Sequence, residues 1–292
     1  MKKLLTLAVV GVAASTTAYA ADMPLRAPMP VAVGYDWSGF YVGGNVGWGF
    51  QSTDFNDPTS AQIAQNGLPI GIGLTNLFGN VPSQNLQNNS LLGGFQAGAN
   101  YQIARFVIGG EFDMSWGRLN SSMSAGLPSN FALIAPGLTF TDTEAFQQRT
   151  NWIATTTARF GVAQDNWLFY GKIGAAFEDN TYTLTHFASI AIPVALNNSF
   201  SSTMSDIRVG FTVGAGVEWA FASHWTAKLE YDFMDFGTKA EGMNGTNTIS
   251  GVALPPGFPA TAATTASPNL SQQVSEVKFG INYKFASGMF PW

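Results

Sequence analysis

Side chains suited to catalysis or metal binding are few. Cysteine is absent from the 292 residues and histidine occurs twice, so thiol chemistry, disulfide scaffolds and cysteine-based zinc sites drop out. His186 falls in a segment that reads as a long loop and His224 in one that reads as a short turn at the opposite end of the repeating pattern. Two imidazoles so placed cannot share a metal or a proton, and each is expected to be an exposed polar residue. The serine-rich stretches hold no nucleophile elbow, and the glycine-rich run 43–49 does not open a helix, so it is not a phosphate loop. What remains is a set of charges, several spaced by two: Glu111 and Asp113; Lys228, Glu230 and Asp232; Glu276 and Lys278; with Arg159, Lys172, Glu178, Arg208 and Glu218. Neighbouring carboxylates can serve as general acid and base. No nucleophile accompanies them, which leaves an ion-pair network or a ring of charge lining a pore.

Spacing by two places side chains on one face of a strand. The composition points the same way: 46% of residues are hydrophobic and only 11% charged, against about 25% charged in ordinary soluble domains, yet beyond the first twenty residues no apolar run approaches the length of a spanning helix. The apolar residues alternate instead. Ile207, Val209, Phe211, Val213, Ala215, Val217 and Trp219 oppose Arg208, Gly210, Thr212, Gly214, Gly216 and Glu218, and seven further segments repeat the pattern, beginning near Phe40, Leu91, Phe106, Trp152, Trp167, Trp225 and Val277. Connections at 102–105, 164–166 and 222–224 are short, whereas 51–89, 120–148, 184–203 and 239–271 are long and polar. This pattern predicts an all-β fold: an eight-stranded antiparallel transmembrane up-and-down β-barrel, OmpA/OmpX-like, over residues 37–285. Short turns and both termini would lie on the periplasmic side, with the long loops extracellular. Trp48, Trp116, Trp152, Phe177 and Phe233 would form one aromatic girdle. Phe40, Tyr101, Phe106, Trp167, Trp219, Trp225, Tyr283 and Phe285 would form the other. A soluble lipocalin-like barrel or β-sandwich would bury the apolar face instead, and the glycine-loaded, sparsely charged second face argues against it.

An eight-stranded barrel is only wide enough for its own side chains. The charged residues above, joined by Lys284, would therefore meet inside, and pairing would make their burial tolerable. Lumen glycines leave room for long cationic chains. With 18 acidic against 13 basic residues, there is no basic surplus for nucleic acid.

Lys2 and Lys3, the apolar stretch 4–14 and Ala18-Tyr19-Ala20 have the form of a signal peptide over residues 1–20, leaving a mature start at Ala21. A Pro-rich periplasmic segment, 21–36, leads into the barrel, and residues 286–292 extend beyond it.

The run Tyr35-Asp36-Trp37-Ser38-Gly39-Phe40-Tyr41-Val42-Gly43-Gly44-Asn45-Val46-Gly47-Trp48-Gly49 resembles the first strand of alphaproteobacterial outer-membrane proteins of the Omp25, RopB and Omp31 type. Residues 167–176, Gly214-Ala215-Gly216-Val217-Glu218-Trp219 and the closing 277–285 support that likeness over residues 1–285. The resemblance implies a cell outer membrane location and recognition of a terminal aromatic, Phe285 or Trp292, by the barrel-assembly machinery. It also implies a tether to peptidoglycan through the mature Ala21-Asp22 terminus. Relatives linked to haem capture would need an apolar slot with an axial ligand such as His186 or Tyr182. The apolar runs 68–74 and 252–259 could cover the barrel mouth. The expectation is thus a non-enzymatic structural and surface protein without cofactor, contacting outer-membrane lipid and lipopolysaccharide. A small diffusion porin, or a haem-binding or adhesive surface protein acting through its loops, stands as the alternative.

Overall fold

A computed structural model describes residues 34–59, 83–126, 139–192, 194–250 and 261–285. The signal segment 1–20, Ala21 and Asp22, the spacer 23–33, the apolar runs 68–74 and 252–259, and the extension 286–292 with Trp292 lie outside the described residues.

The strands are β1 (Gly39–Asn56), β2 (Gln84–Ile103), β3 (Phe106–Gly126), β4 (Thr139–Gln164), β5 (Trp167–Ile192), β6 (Val194–Ala222), β7 (Trp225–Ala240), β8 (Met243–Ser250), β9 (Thr261–Ala266) and β10 (Asn269–Lys284). Strands β1 to β7 pair in chain order, and β10 closes the ring between β7 and β1, antiparallel throughout. Closure leaves no open edge to face hydrocarbon. The first and last strands join with Val46 opposite Phe279 and Trp48 opposite Val277. Tight turns at Ala104-Arg105 and Asp165-Asn166 hold Ala104 at φ 55° and Asp165 at φ 53°, the left-handed geometry that short hairpin connections demand.

Alternation sets the two faces. Outward-facing Phe40, Trp48, Tyr101, Phe106, Trp116, Trp167, Trp219, Trp225 and Tyr283 are exposed, and Trp167 stacks on Trp219 while Trp225 meets Tyr283 edge-on. Glu111, Arg159, Lys172 and Lys278 turn inward and are buried.

The strands run further than the apolar alternation predicts. Strands β5 and β6 continue through most of 184–203 to Ile192 and Val194, β4 begins at Thr139 within 120–148, β1 reaches Asn56, β2 starts at Gln84, and 239–271 carries β8 and β9. The period of two persists, but the polarity reverses. Along β5 the outward positions change from Phe169, Ile173 and Phe177 to Thr181, Thr183 and Thr185, while the inward ones change from Lys172 and Glu178 to Tyr182 and Leu184. Water has replaced lipid outside, so these limbs bury apolar side chains inside, as a soluble barrel would. Phe55, Leu86, Phe146, Tyr182, Leu184, Phe200, Met243 and Leu270 form that upper core.

Two stretches of the upper wall lack a ladder. Strands β2 and β3 pair only up to Leu92↔Gly117, so 84–91 and 118–126 have no described ladder between them. The second stretch lies beside β6. Strand β6 pairs β7 from Ala222↔Trp225 to Phe211↔Asp235, and pairing resumes on β8 at Ser201↔Thr246. Over 202–210, β6 has no described ladder partner on that side. At the turn end, Trp37 packs with Val107, Leu168, Tyr170 and Ala220, and its backbone N–H donates to Gln102 Oε1 at 2.8 Å. The residues just before β1 thus close the mouth.

Candidate functional site: the layered barrel interior

The inward residues form levels. Above the Trp37 layer sits an ionic level built by β3 to β7 and β10. Arg159 reaches Glu218 at 2.8 Å and Glu111 at 3.3 Å, and its guanidinium lies 3.9 Å from the Tyr170 ring centroid. Lys172 contacts Glu230 at 2.7 Å, Asp232 at 3.0 Å and Glu111 at 3.5 Å. Lys228 joins Glu111 at 3.1 Å and Glu230 at 3.4 Å. Lys278 meets Asp232 at 2.8 Å, Asp113 at 3.1 Å and, more distantly, Glu276 at 3.8 Å. These side chains are at most 4% exposed. Each cation touches more than one carboxylate, an arrangement that offsets the large cost of desolvating the charges.

Uncharged groups complete the level. Tyr41 Oη donates to Glu111 at 2.8 Å and Tyr170 Oη to Glu230 at 2.7 Å. Asn45 donates to Asp113 at 2.7 Å, and Asn282 to Glu218 at 2.8 Å. Sequence reasoning did not single out these four, although each occupies an inward parity position. Glycine makes the space: a Cβ on Gly214 would stand 2.1 Å from Asp232 Oδ1, and one on Gly98 2.4 Å from Tyr41 Oη.

Glu178 and Arg208 are not part of this network. An apolar level containing Leu92, Leu119, Ile153, Met234, Phe236 and Val274 lies between. Although opposite in register, the two make no ion pair. Glu178 accepts from Gln272 at 2.6 Å, Thr150 at 2.8 Å and Gln51 at 3.0 Å. Arg208 Nη2 donates to the carbonyls of Gly237 at 2.8 Å, Leu270 at 3.1 Å and Phe236 at 3.2 Å, bridging the unladdered wall beside β6. Lys284, expected inside, instead sits at the turn-end mouth and donates to the carbonyl of Asp36. Its ammonium stands 4.4 Å from the Tyr35 ring centroid.

The top level was not anticipated. His186, expected to be exposed in a loop, is an inward residue of β5, 1% exposed, with Nε2 2.6 Å from Asp142 Oδ1. The Thr-Tyr-Thr-Leu-Thr-His alternation over 181–186 was its signal. Asp57 and Glu144 are buried at the same end. Burial pushes the Glu144 carboxyl up to about 8, with Asp57 and Asp142 adding to the shift. Burial also raises Asp57 and Asp142, against opposing bonds from Thr59 and His186 respectively. Tyr182 is fully buried in the upper core, so neither it nor His186 offers a surface axial ligand. His224 is half-buried, stacked on Tyr283.

Closed strands, a lipid-facing apolar belt and a charged interior define a membrane β-barrel, and the chain belongs to the outer membrane protein beta-barrel domain family, whose model matches residues 4–254. Within that class it is 29% identical over 244 residues to the 31 kDa outer-membrane immunogenic protein of Brucella melitensis, covering 81% of this chain and 88% of that protein, and equally to its Brucella suis counterpart. That is the kinship indicated by the opening strand motif. Among solved structures, Ail, the attachment invasion locus protein of Yersinia pestis, is 10% identical with a TM-score of 0.32, covering 85% of this chain and 99% of that one.

Proposed function

We propose that this outer-membrane barrel is a non-catalytic structural and surface protein contributing to envelope integrity. In this reading the turn end and both termini face the periplasm, and the long hairpins stand outside. The observation that carries it is the filled interior: successive apolar, ionic, apolar, polar and apolar levels leave their side chains buried, which supports a wall and not a conduit. No catalytic role follows from the ionic level, because every cation there is engaged by carboxylates. Planar-bilayer recording of the purified full chain tests this: the expected result is no steady single-channel conductance. A steady conductance altered by Arg159→Gln would replace this reading with that of a diffusion porin.

The implied attachment through Ala21, next to Asp22, belongs to the same proposal. Joined to peptidoglycan, its amine would hold the envelope layers together through the Pro-rich spacer, with Trp37 and Lys284 fixing the chain where it enters the barrel. Mass spectrometry of muramidase-digested envelopes should find a muropeptide on Ala21, whereas a free Ala21 amine throughout would remove the tether.

A further inference from the structure

The outward face of β3 to β6 changes composition with height. Trp116 and Trp152 lie opposite each other on β3 and β4 at the upper edge of the apolar belt. Immediately above, exposed Arg118 and Arg149 stand on the same two strands, with Asn120 opposite Arg149. Among the described residues neither arginine has an ion-pair partner. The acidic side chains at that height are already engaged: Asp179 accepts from Asn151, Asp206 from Lys239, and Asp235 from Gln273 and the Gly237 N–H.

Higher still, this face carries hydroxyls in rows that cross the strands. Arg149, Thr181 and Ser205 share one row, and Gln147, Thr183 and Thr203 the next. Thr181 and Ser205 bond at 3.2 Å, and Thr183 and Thr203 at 3.1 Å. Phe187, 44% exposed, interrupts the array two rows further up. Strands repeat about every 4.8 Å and same-face residues about every 6.7 Å, so the hydroxyls form an uncharged grid with one aromatic platform.

We infer that this face is a docking surface for a phosphorylated glycolipid of the outer leaflet, its phosphate at Arg118 and Arg149 and its sugars along the hydroxyl rows toward Phe187. Two features select this occupant. The face continues without a break from the lipid-facing belt of the same strands, so what stands against it is whatever the outer-leaflet lipids carry above their acyl chains. The order of chemistry also matches: apolar, then cationic, then uncharged and hydrogen-bonding, as acyl chain, phosphate and sugar succeed one another in such a lipid. Guanidinium groups suit phosphate oxygens. Hydroxyls and an exposed ring suit the polar edges and C–H faces of a sugar.

The inference rests on the orientation proposed above, which Ser205→Cys labelling of intact cells with an impermeant reagent checks separately. For the inference itself, the full chain is folded into phosphatidylethanolamine vesicles containing no addition, lipid A, or complete lipopolysaccharide, and hydrogen exchange is followed over β3 to β6. Lipid A is expected to slow exchange near 118–120 and 147–150, and complete lipopolysaccharide to extend protection to 181–187 and 199–205. Arg118→Gln and Arg149→Gln should each weaken binding about fivefold, while Thr183→Val with Thr203→Val should abolish only the saccharide increment. Equal exchange in all three vesicles overturns the inference. So does an effect of lipopolysaccharide that survives both sets of substitutions, or equal protection by saccharide released from its lipid.

Discussion

Arg159 shows what a single side chain does in this interior. It joins Glu111 and Glu218 and lies over Tyr170, so Arg159→Met would leave two buried carboxylates short of a cation. The expected loss is about 3–5 kcal/mol, read from urea unfolding of the protein in detergent or vesicles. Adding Glu111→Gln should restore part of it, and full additivity would mean the pair does not act as a unit. Glu144 presents the opposite electrostatic case. Its carboxyl, ordinarily near 4.5, is held near 8, so between these values the folded chain keeps a proton that the unfolded chain releases. Stability of the upper core should therefore be greatest at acid pH and fall as pH rises from about 4.5 to 8. Asp57 and Asp142, also raised, act in the same direction. Hydrogen exchange over 142–146 and 184–188 should accelerate across that window, and Glu144→Gln should flatten the response. The ionic level was largely legible from inward parity and charge, as Lys172 and Asp232 illustrate. Its exact partners were not: Glu178 and Arg208 share a row but bond elsewhere, because an inward side chain is free to reach across the lumen.

At the scale of the strand, alternation identified the membrane-crossing part because lipid outside and polar atoms inside impose one consistent sign. The same rule hid the upper limbs. In β5 and β6 the parity continues unbroken while the sign reverses, so a search for greasy outward positions stops near Phe177 and Ile207. Threonine and serine, taken for loop polarity, are the water-facing side of strands. The two sides should therefore tolerate change unequally. Leu184→Ala, in the upper core, is expected to cost about 2–5 kcal/mol, and its exposed neighbour Thr185→Ala to stay within about 0.5 kcal/mol. Unfolding of the two variants side by side checks this, and equal losses would mean that the upper limbs are not a packed core.

For the whole molecule, ring closure by β10 followed from the requirement that no edge face hydrocarbon, and the opening strand motif carried the family likeness. The insertion of β8 and β9 before the closing strand was not legible, since short runs such as Thr261–Ala266 carry little apolar signal.

The gap over 202–210 has a mechanical consequence. Where a ladder is intact, parting two neighbouring strands means breaking a row of main-chain bonds together, but here the Arg208 guanidinium, the Ser202 hydroxyl on the Asn244 carbonyl and the Lys239–Asp206 contact hold the two sides. A load spread around the circumference would concentrate on those few side chains. The cylinder therefore has a tear line there, with the Arg208 guanidinium as a buried rivet.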